Sequence, residues 1–295
     1  MTQKRMRGMG VAIITPFTET NEVDYAALER LVDLHLNSGT DFLCVQGTTG
    51  ETPTLSIEEK RNIRKRVIEQ VNGRMGIMLG CGGNNTQAVI NELQTEDFTG
   101  VDGILCVVPY YNKPNQEGMY RHFKAIADST TLPIYLYNVP GRCGVNMQPE
   151  TTIRLANECK NIIGFKAASG NIEQIKKLIA MKPDTLDVLS GDDGLTYEIM
   201  KAGGVGVISV FGNVYPKECV ELVRLLEQKR YDEAKELSDS YSEMFRLLFA
   251  DGNPGGAKAQ LSNMGYVKNI LRLPLVPVRE DVCEALRIEG ERLKK

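Results

Sequence analysis

The stretch GVAIITPF, Gly10 to Phe17, is the first strand candidate of the chain: an apolar run, rich in β-branched residues, that stops at a proline. The turn after such a strand separates two α/β architectures. A doubly wound open sheet that binds a dinucleotide carries a glycine-rich turn there. Here the strand ends in Thr-Pro-Phe instead. Seven more apolar runs come after it: FLCVQG (42–47), GIMLGC (76–81), GILCVVPY (103–110), PIYLYNV (133–139), IIGFKAA (162–168), LDVLSG (186–191) and GVGVISV (204–210). Each is succeeded by a longer stretch with helical spacing, as in DYAALERLVDLHLNSG, where Leu28, Leu31, Val32 and His35 share one face. Eight strand-then-helix units predict an α/β fold, a closed (β/α)8 TIM barrel over residues 1–225. Residues 226–295 read as helix only, a C-terminal helical region suited to packing or assembly. Within it, Asn253 and Pro254 predict a helix start with the proline at the first helical position.

The 295 residues are 42% hydrophobic and 25% charged with a net charge of −3, an ordinary composition for a soluble globular protein. The run KRNIRKR (60–66) falls on a helical stretch and reads as a solvated face, not a nucleic-acid patch. The amino-terminal MTQKRMRGMG has no apolar h-region, so no secretory signal is expected. No apolar run approaches the roughly 20 residues that span a membrane. Seven scattered cysteines without a CxxC pair fit a reducing cytosol and a cytoplasmic protein. Cys44 and Cys106 sit in strand runs as small core residues. The only two histidines, His35 and His122, lie in helical patterns. A histidine-based metal site or a Ser-His-Asp triad has little material to work with.

In barrels of this kind chemistry gathers at the carboxyl ends of the strands. Strand six, within IIGFKAASGN (162–171), carries Lys166 in an apolar, small-residue run. A lysine there either snorkels its amine into water or serves as a nucleophile whose neutral form desolvation favours. Side-chain alternation puts Gly164, Lys166 and Ala168 on one face, two small neighbours leaving room for a ligand, and Ile163, Phe165 and Ala167 on the other. The same alternation turns Tyr137 inward on the adjacent strand, where a phenol can pass protons to a carbinolamine oxygen. Strand two ends in GTTGE (47–51), either a tight turn with Thr54 or Ser56 capping the next helix, or a nest of amides and hydroxyls for a small carboxylate. Strand five ends in YNVPGR, whose Arg142 follows a Pro-Gly turn and can swing over the strand ends: alone it reads as a solvated surface residue, above a carboxylate-binding pocket as a fork for an acidic substrate. After strand seven, Asp192 and Asp193 are expected to cap the next helix, and they would repel a phosphate there. Tyr110 and Tyr111 are consecutive and cannot both enter one barrel: either one is simply surface or one reaches a neighbouring subunit, and the pair beside Asn112 and Pro114 favours an interface.

With GTTGE, PYYN (109–112), YNVPGR and GFKAASGN in order on the expected strands, the sequence resembles the dihydrodipicolinate synthase family of pyruvate-dependent class I aldolases, which includes N-acetylneuraminate lyase. The resemblance runs from TPF to NPGGAKAQ and LRLPLVPV, nearly the whole chain. It implies that Lys166 forms a Schiff base with pyruvate and that Thr48 and Thr49 hold the pyruvate carboxylate. Tyr137 would relay protons, linked through Thr49 to Tyr111 reaching in from a partner subunit. The enamine would attack L-aspartate 4-semialdehyde, its carboxylate bound by Arg142, and the adduct would cyclise with loss of water to 4-hydroxy-tetrahydrodipicolinate. Gly191 and Ile208 complete the implied substrate-binding set. The resemblance further implies a homotetramer built as a dimer of dimers, with no metal and no organic cofactor. The related sugar-acid aldolases share the lysine and tyrosine but have no use for the arginine fork of YNVPGR. A non-catalytic ligand-binding barrel is the alternative from another class. An oxidoreductase would lack its dinucleotide turn.

In lysine-sensitive members the effector site uses a histidine, an asparagine, a glutamate and a tyrosine around the loops after strands two and three. The corresponding positions here are Asn84 and Tyr110, with Ile57 and Lys60 at the histidine-type positions and Ala88 for the glutamate. The effector's ammonium would lose its counter-charge. Weak or absent inhibition is therefore expected when L-lysine is added to the assay in the millimolar range. Full inhibition at low concentration would overturn this.

Overall fold

The eight runs form eight parallel strands: β1 (Gly8–Ala12), β2 (Phe42–Val45), β3 (Gly76–Gly80), β4 (Gly103–Val107), β5 (Ile134–Asn138), β6 (Ile162–Ala167), β7 (Asp187–Ser190) and β8 (Gly206–Ser209). They pair in chain order and β8 returns to β1, closing the barrel. This architecture comes from a computed structural model that describes residues 5–294; the start of the basic amino-terminal segment and Lys295 lie outside them. β1 is shorter than GVAIITPF, because the Ile14 amide leaves the ladder for Asn213 Oδ1 (3.1 Å). The Thr15 hydroxyl donates to the Gly50 carbonyl (2.7 Å), which ties Thr-Pro-Phe to the GTTGE turn.

Closure needs glycine at the seam. Gly206 has φ +151° and its missing Cβ would stand 2.0 Å from the Gly8 carbonyl oxygen. Inside, Phe42 and Tyr135 fill the lower barrel against two further glycines. A Cβ on Gly10 would meet the Phe42 ring at 2.1 Å, and one on Gly164 would meet Tyr135 at 2.0 Å. The space beside Gly164 therefore belongs to Tyr135 and not to a ligand, which corrects the sequence reading of that position. The Tyr135 hydroxyl accepts the Met6 amide (2.7 Å), and Arg7 Nε and Nη2 each donate to Asp187 at 2.9 Å, sealing the amino-terminal end.

Outside, the helix Tyr25–Ser38 buries Leu28, Leu31, Val32 and His35, the face its spacing predicted. Burial pushes His35 down to about 3 and His122 to about 4, so both are neutral packing groups at neutral pH. Ser56, not Thr54, caps the helix Ile57–Val71, in a capping box with Glu59. The basic run lies on that helix and is answered by neighbours: Arg61 and Arg64 pair with Glu96, and Arg66 pairs with Glu29.

The helix Pro216–Glu227 packs against β1, and four more come after it: Tyr231–Ser240, Ser242–Leu247, Gly255–Asn263 and Glu280–Arg292. Phe211, just after β8, stacks on Tyr215 and meets Phe245 edge-on, so barrel and extension share one core. The helix expected from Pro254 begins at Gly255, with Pro254 at the cap in a non-helical conformation (φ −93°, ψ 6°). Asn253 does not cap it either: its Nδ2 is turned to the Thr49 hydroxyl, and no side chain caps this helix. Among the described residues no helix is long and apolar enough to cross a membrane.

Gly164→Ala is expected to cost about 1–3 kcal/mol, since a fully buried ring cannot yield to the new methyl. The denaturant midpoint measures it; an unchanged midpoint would mean that Tyr135 can move aside.

Candidate active site

β5 and β6 pair with Tyr137 opposite Lys166, so both side chains enter the barrel at one level near its carboxyl end. The Lys166 amine lies 4.5 Å from the centre of the Tyr137 ring, and both residues are more than nine-tenths buried. Below them stands the plug of Tyr135 and Phe42, so the amine can meet a small molecule only from above. Above lies an open cavity of about 690 Å³, bordered by Thr48, Thr49, Tyr137, Arg142, Lys166 and Gly191. Five residues expected on chemical grounds, and Gly191 from the resemblance, thus border one space, supplied by three βα loops and two strands.

Local sequence explains each placement. GTTGE and the Thr-Pro-Thr after it fold as two short 3-10 turns, Thr48–Gly50 and Thr52–Thr54, hinged at Glu51, which adopts a left-handed conformation (φ 52°). This leaves Thr48 exposed at the rim and Thr49 buried, its Oγ1 accepting a hydrogen bond from Asn253 Nδ2 (2.9 Å). Pro140 starts a four-residue helix that carries Arg142 outward, where Nη2 donates to the Asn253 carbonyl (3.3 Å). Asn138, between Tyr137 and that helix, anchors the returning loop: its Oδ1 accepts the Met147 amide (3.0 Å) and its Nδ2 donates to Asn146 (2.8 Å). Gly191 makes room for the lysine itself, for a Cβ there would stand 2.9 Å from Lys166 Cε and 3.0 Å from Cγ. Cys44 feels the Lys166 charge, yet burial raises its thiol to about 11 and it is no rival nucleophile.

The Dihydrodipicolinate synthetase family model matches residues 5–289. The chain belongs to the dihydrodipicolinate synthetase family. The 4-hydroxy-tetrahydrodipicolinate synthase of Phocaeicola vulgatus is 55% identical over 294 residues, covering 100% of this chain and 99% of that protein. Among solved structures, dihydrodipicolinate synthase from Aquifex aeolicus superposes with a TM-score of 0.94 at 38% identity, over 98% of both chains. The chloride-inhibited dihydrodipicolinate synthase of Acinetobacter baumannii, crystallised with pyruvate, gives 0.94 at 40% identity over 97% of this chain and 98% of the other.

Two expected residues of this family member stand apart from the cavity. Tyr111 follows β4 with φ 72° and is 88% exposed, on the outside of the chain. Ile208 lies within β8, paired with Gly10 and buried, without bordering the cavity. Asp192 caps only the 3-10 turn Asp193–Leu195, its Oδ1 accepting the Gly194 amide (3.0 Å), while the helix Thr196–Lys201 that comes next has no side-chain cap. Asp193 caps neither. Its carboxylate crosses to the end of β8, accepting from Ser209 Oγ (2.5 Å) and from the amides of Val210 (3.0 Å) and Phe211 (2.9 Å). Those amides have no helical partners, and a buried carboxylate satisfies them where other barrels often hold phosphate.

The sequence reading missed the far wall. Ser238, Ser242, Phe245 and Arg246 of the helical extension border the cavity, and Asn253 reaches into it. An Asn-Pro pair ahead of a helix is a visible signal, but of a turn, and nothing local says which loop its side chain will meet.

Gly191→Ala tests the space around the amine. The new methyl would stand 2.9 Å from Ala168 Cβ as well as against the lysine stem, so it should cost about 1–3 kcal/mol of stability and slow any condensation of Lys166 with an α-keto acid roughly 100-fold. Borohydride trapping measures that rate, and a parental rate in the variant would show the stem free to move away.

Proposed function

We propose that this chain is a 4-hydroxy-tetrahydrodipicolinate synthase, condensing pyruvate with L-aspartate 4-semialdehyde in lysine and diaminopimelate biosynthesis. The observation that carries the reading is the buried Lys166 amine beside the inward Tyr137 at the open end of a plugged barrel. The full-length likeness to named synthases agrees with it.

In this mechanism the Lys166 amine attacks the keto carbon of pyruvate, whose carboxylate rests on the Thr48 and Thr49 donors. Tyr137 passes a proton to the carbinolamine oxygen, which leaves as water and gives the iminium. Loss of a methyl proton makes the enamine, and its carbon attacks the aldehyde carbon of the semialdehyde. Arg142 holds that substrate's carboxylate, and its amino group then attacks the iminium carbon. The ring closes, the Lys166 amine departs, and one water has been lost overall. The iminium is its own electron sink, so the chemistry calls for no metal and no organic cofactor. The guanidinium of Arg142 at the rim favours the synthase over sugar-acid aldolases, whose polyol aldehydes present no carboxylate there. Gly191 leaves the lysine its space, and Ile208 supports the pocket from beneath.

The barrel carries this chemistry; its expected end at 225 falls inside the helix Pro216–Glu227, and the helices after that one close its wall. Tyr111 acts across a subunit boundary in a homotetramer. Support comes from the exposed apolar side chains Tyr110, Tyr111, Leu273 and Val276. Tyr110 and Leu275 also border a second, apolar cavity of about 410 Å³ that a second copy would cover. Seven free thiols support a cytoplasmic enzyme.

Pyruvate followed by borohydride, with intact mass and peptide mapping, tests the class: a reduced pyruvyl adduct is expected on Lys166. Its absence in folded protein would bring the binding-barrel reading forward. Arg142→Ala should keep that adduct while raising KM for the semialdehyde about tenfold or more, as loss of a charge-assisted contact predicts.

A further inference from the structure

Glu51 and Lys258 form an ion pair in which both side chains are completely shielded from solvent. One closes the GTTGE turn; the other stands in the helix Gly255–Asn263 of the extension. Lys258 also donates to the Ile270 carbonyl (2.8 Å) and lies 4.1 Å over the Phe17 ring, while the second Glu51 oxygen accepts the Arg272 amide (3.1 Å). Arg272, paired with Glu59, covers the same ring at 4.4 Å. Burial pushes the Lys258 amine down to about 8 even with Glu51 beside it. A pair this deep is weak evidence of added stability, because well-packed apolar groups of the same volume often serve a fold equally well.

Its placement gives it another use. The segment from Asn253 to Lys258 grips the threonine turn at two points: Asn253 at the Thr49 hydroxyl, and Lys258 at Glu51. Through its carbonyl Asn253 also receives Arg142. The segment is itself wedged, since a Cβ on Gly256 would stand 2.3 Å from the Leu248 carbonyl oxygen. We infer that the buried Glu51–Lys258 pair is a positioning device: it locks the helical extension onto the GTTGE turn, fixing the Thr49 hydroxyl and Arg142 for substrate without touching substrate itself. The substrate named here, pyruvate, rests on the function proposed above.

The double variant Glu51→Gln with Lys258→Met replaces the pair by neutral side chains of similar length and leaves no charge buried alone. In the full-length chain, the pyruvate concentration that half-saturates borohydride trapping should rise about tenfold, with an unchanged endpoint at saturation. Amide exchange at Thr48 to Glu51, measured without substrate, should quicken while β6 stays as protected as in the parent. A folded double variant with parental pyruvate dependence, or with parental exchange in the turn, overturns the inference. If that variant does not fold, Asn253→Ala decides: it severs the bond to Thr49 outside the ion pair, and an unchanged pyruvate dependence again overturns it. Should the parent itself form no pyruvyl adduct, the proposed function falls, and the exchange measurement still judges whether the pair holds the turn.

Discussion

Everything in this molecule depends on the last seam of the sheet. Eight strands become a barrel only if β8 comes close enough to β1 to pair, and there the Gly206 backbone passes so near the Gly8 carbonyl that a methyl group would hold them apart. Once closed, the sheet has no free edge and its interior becomes a limited volume that a few large side chains can fill. The glycines at Gly10 and Gly164 set which ones: Phe42 and Tyr135 cross the lower barrel where those positions offer no Cβ.

This filling gives the barrel a direction. Its amino-terminal end is sealed by Asp187, Arg7 and the Tyr135 hydroxyl, and only the carboxyl end stays open. Lys166 is left on top of a packed column, poorly hydrated and facing one way. Asp193 does the complementary work at the rim, taking up the amides after β8 and leaving the chemistry to the lysine side of the cavity. Those amides, taken by Asp193, are not free to hold a phosphate at the rim.

The sequence made the repeating strands legible because period and hydrophobicity are local, and strand ends with inward-facing alternation pointed to the chemistry. Lys166, Tyr137, Thr48, Thr49 and Arg142 are legible this way and do border one cavity. Strand lengths were less legible: GVAIITPF looks extended throughout, but a side-chain acceptor from Asn213 ends the ladder early. Gly164 was misread because its neighbour across the sheet, Tyr135, decides who occupies the vacant Cβ position. The contact made by Asn253 and the partner of Glu51 could not be read at all. The Thr49–Asn253 contact joins residues 204 apart in sequence, and no local preference encodes such a meeting. Tyr111 and Ile208, named through family resemblance, lie away from the cavity within one chain.

The separation of Thr49 from Asn253 also has a consequence in time. On the ribosome the barrel emerges strand by strand, with all eight available before the segment that steadies the threonine turn has been made. Until then Lys258, the counter-ion that meets Glu51 inside the folded protein, has not been made. A nascent chain can thus pair its strands before the segment that grips the threonine turn exists.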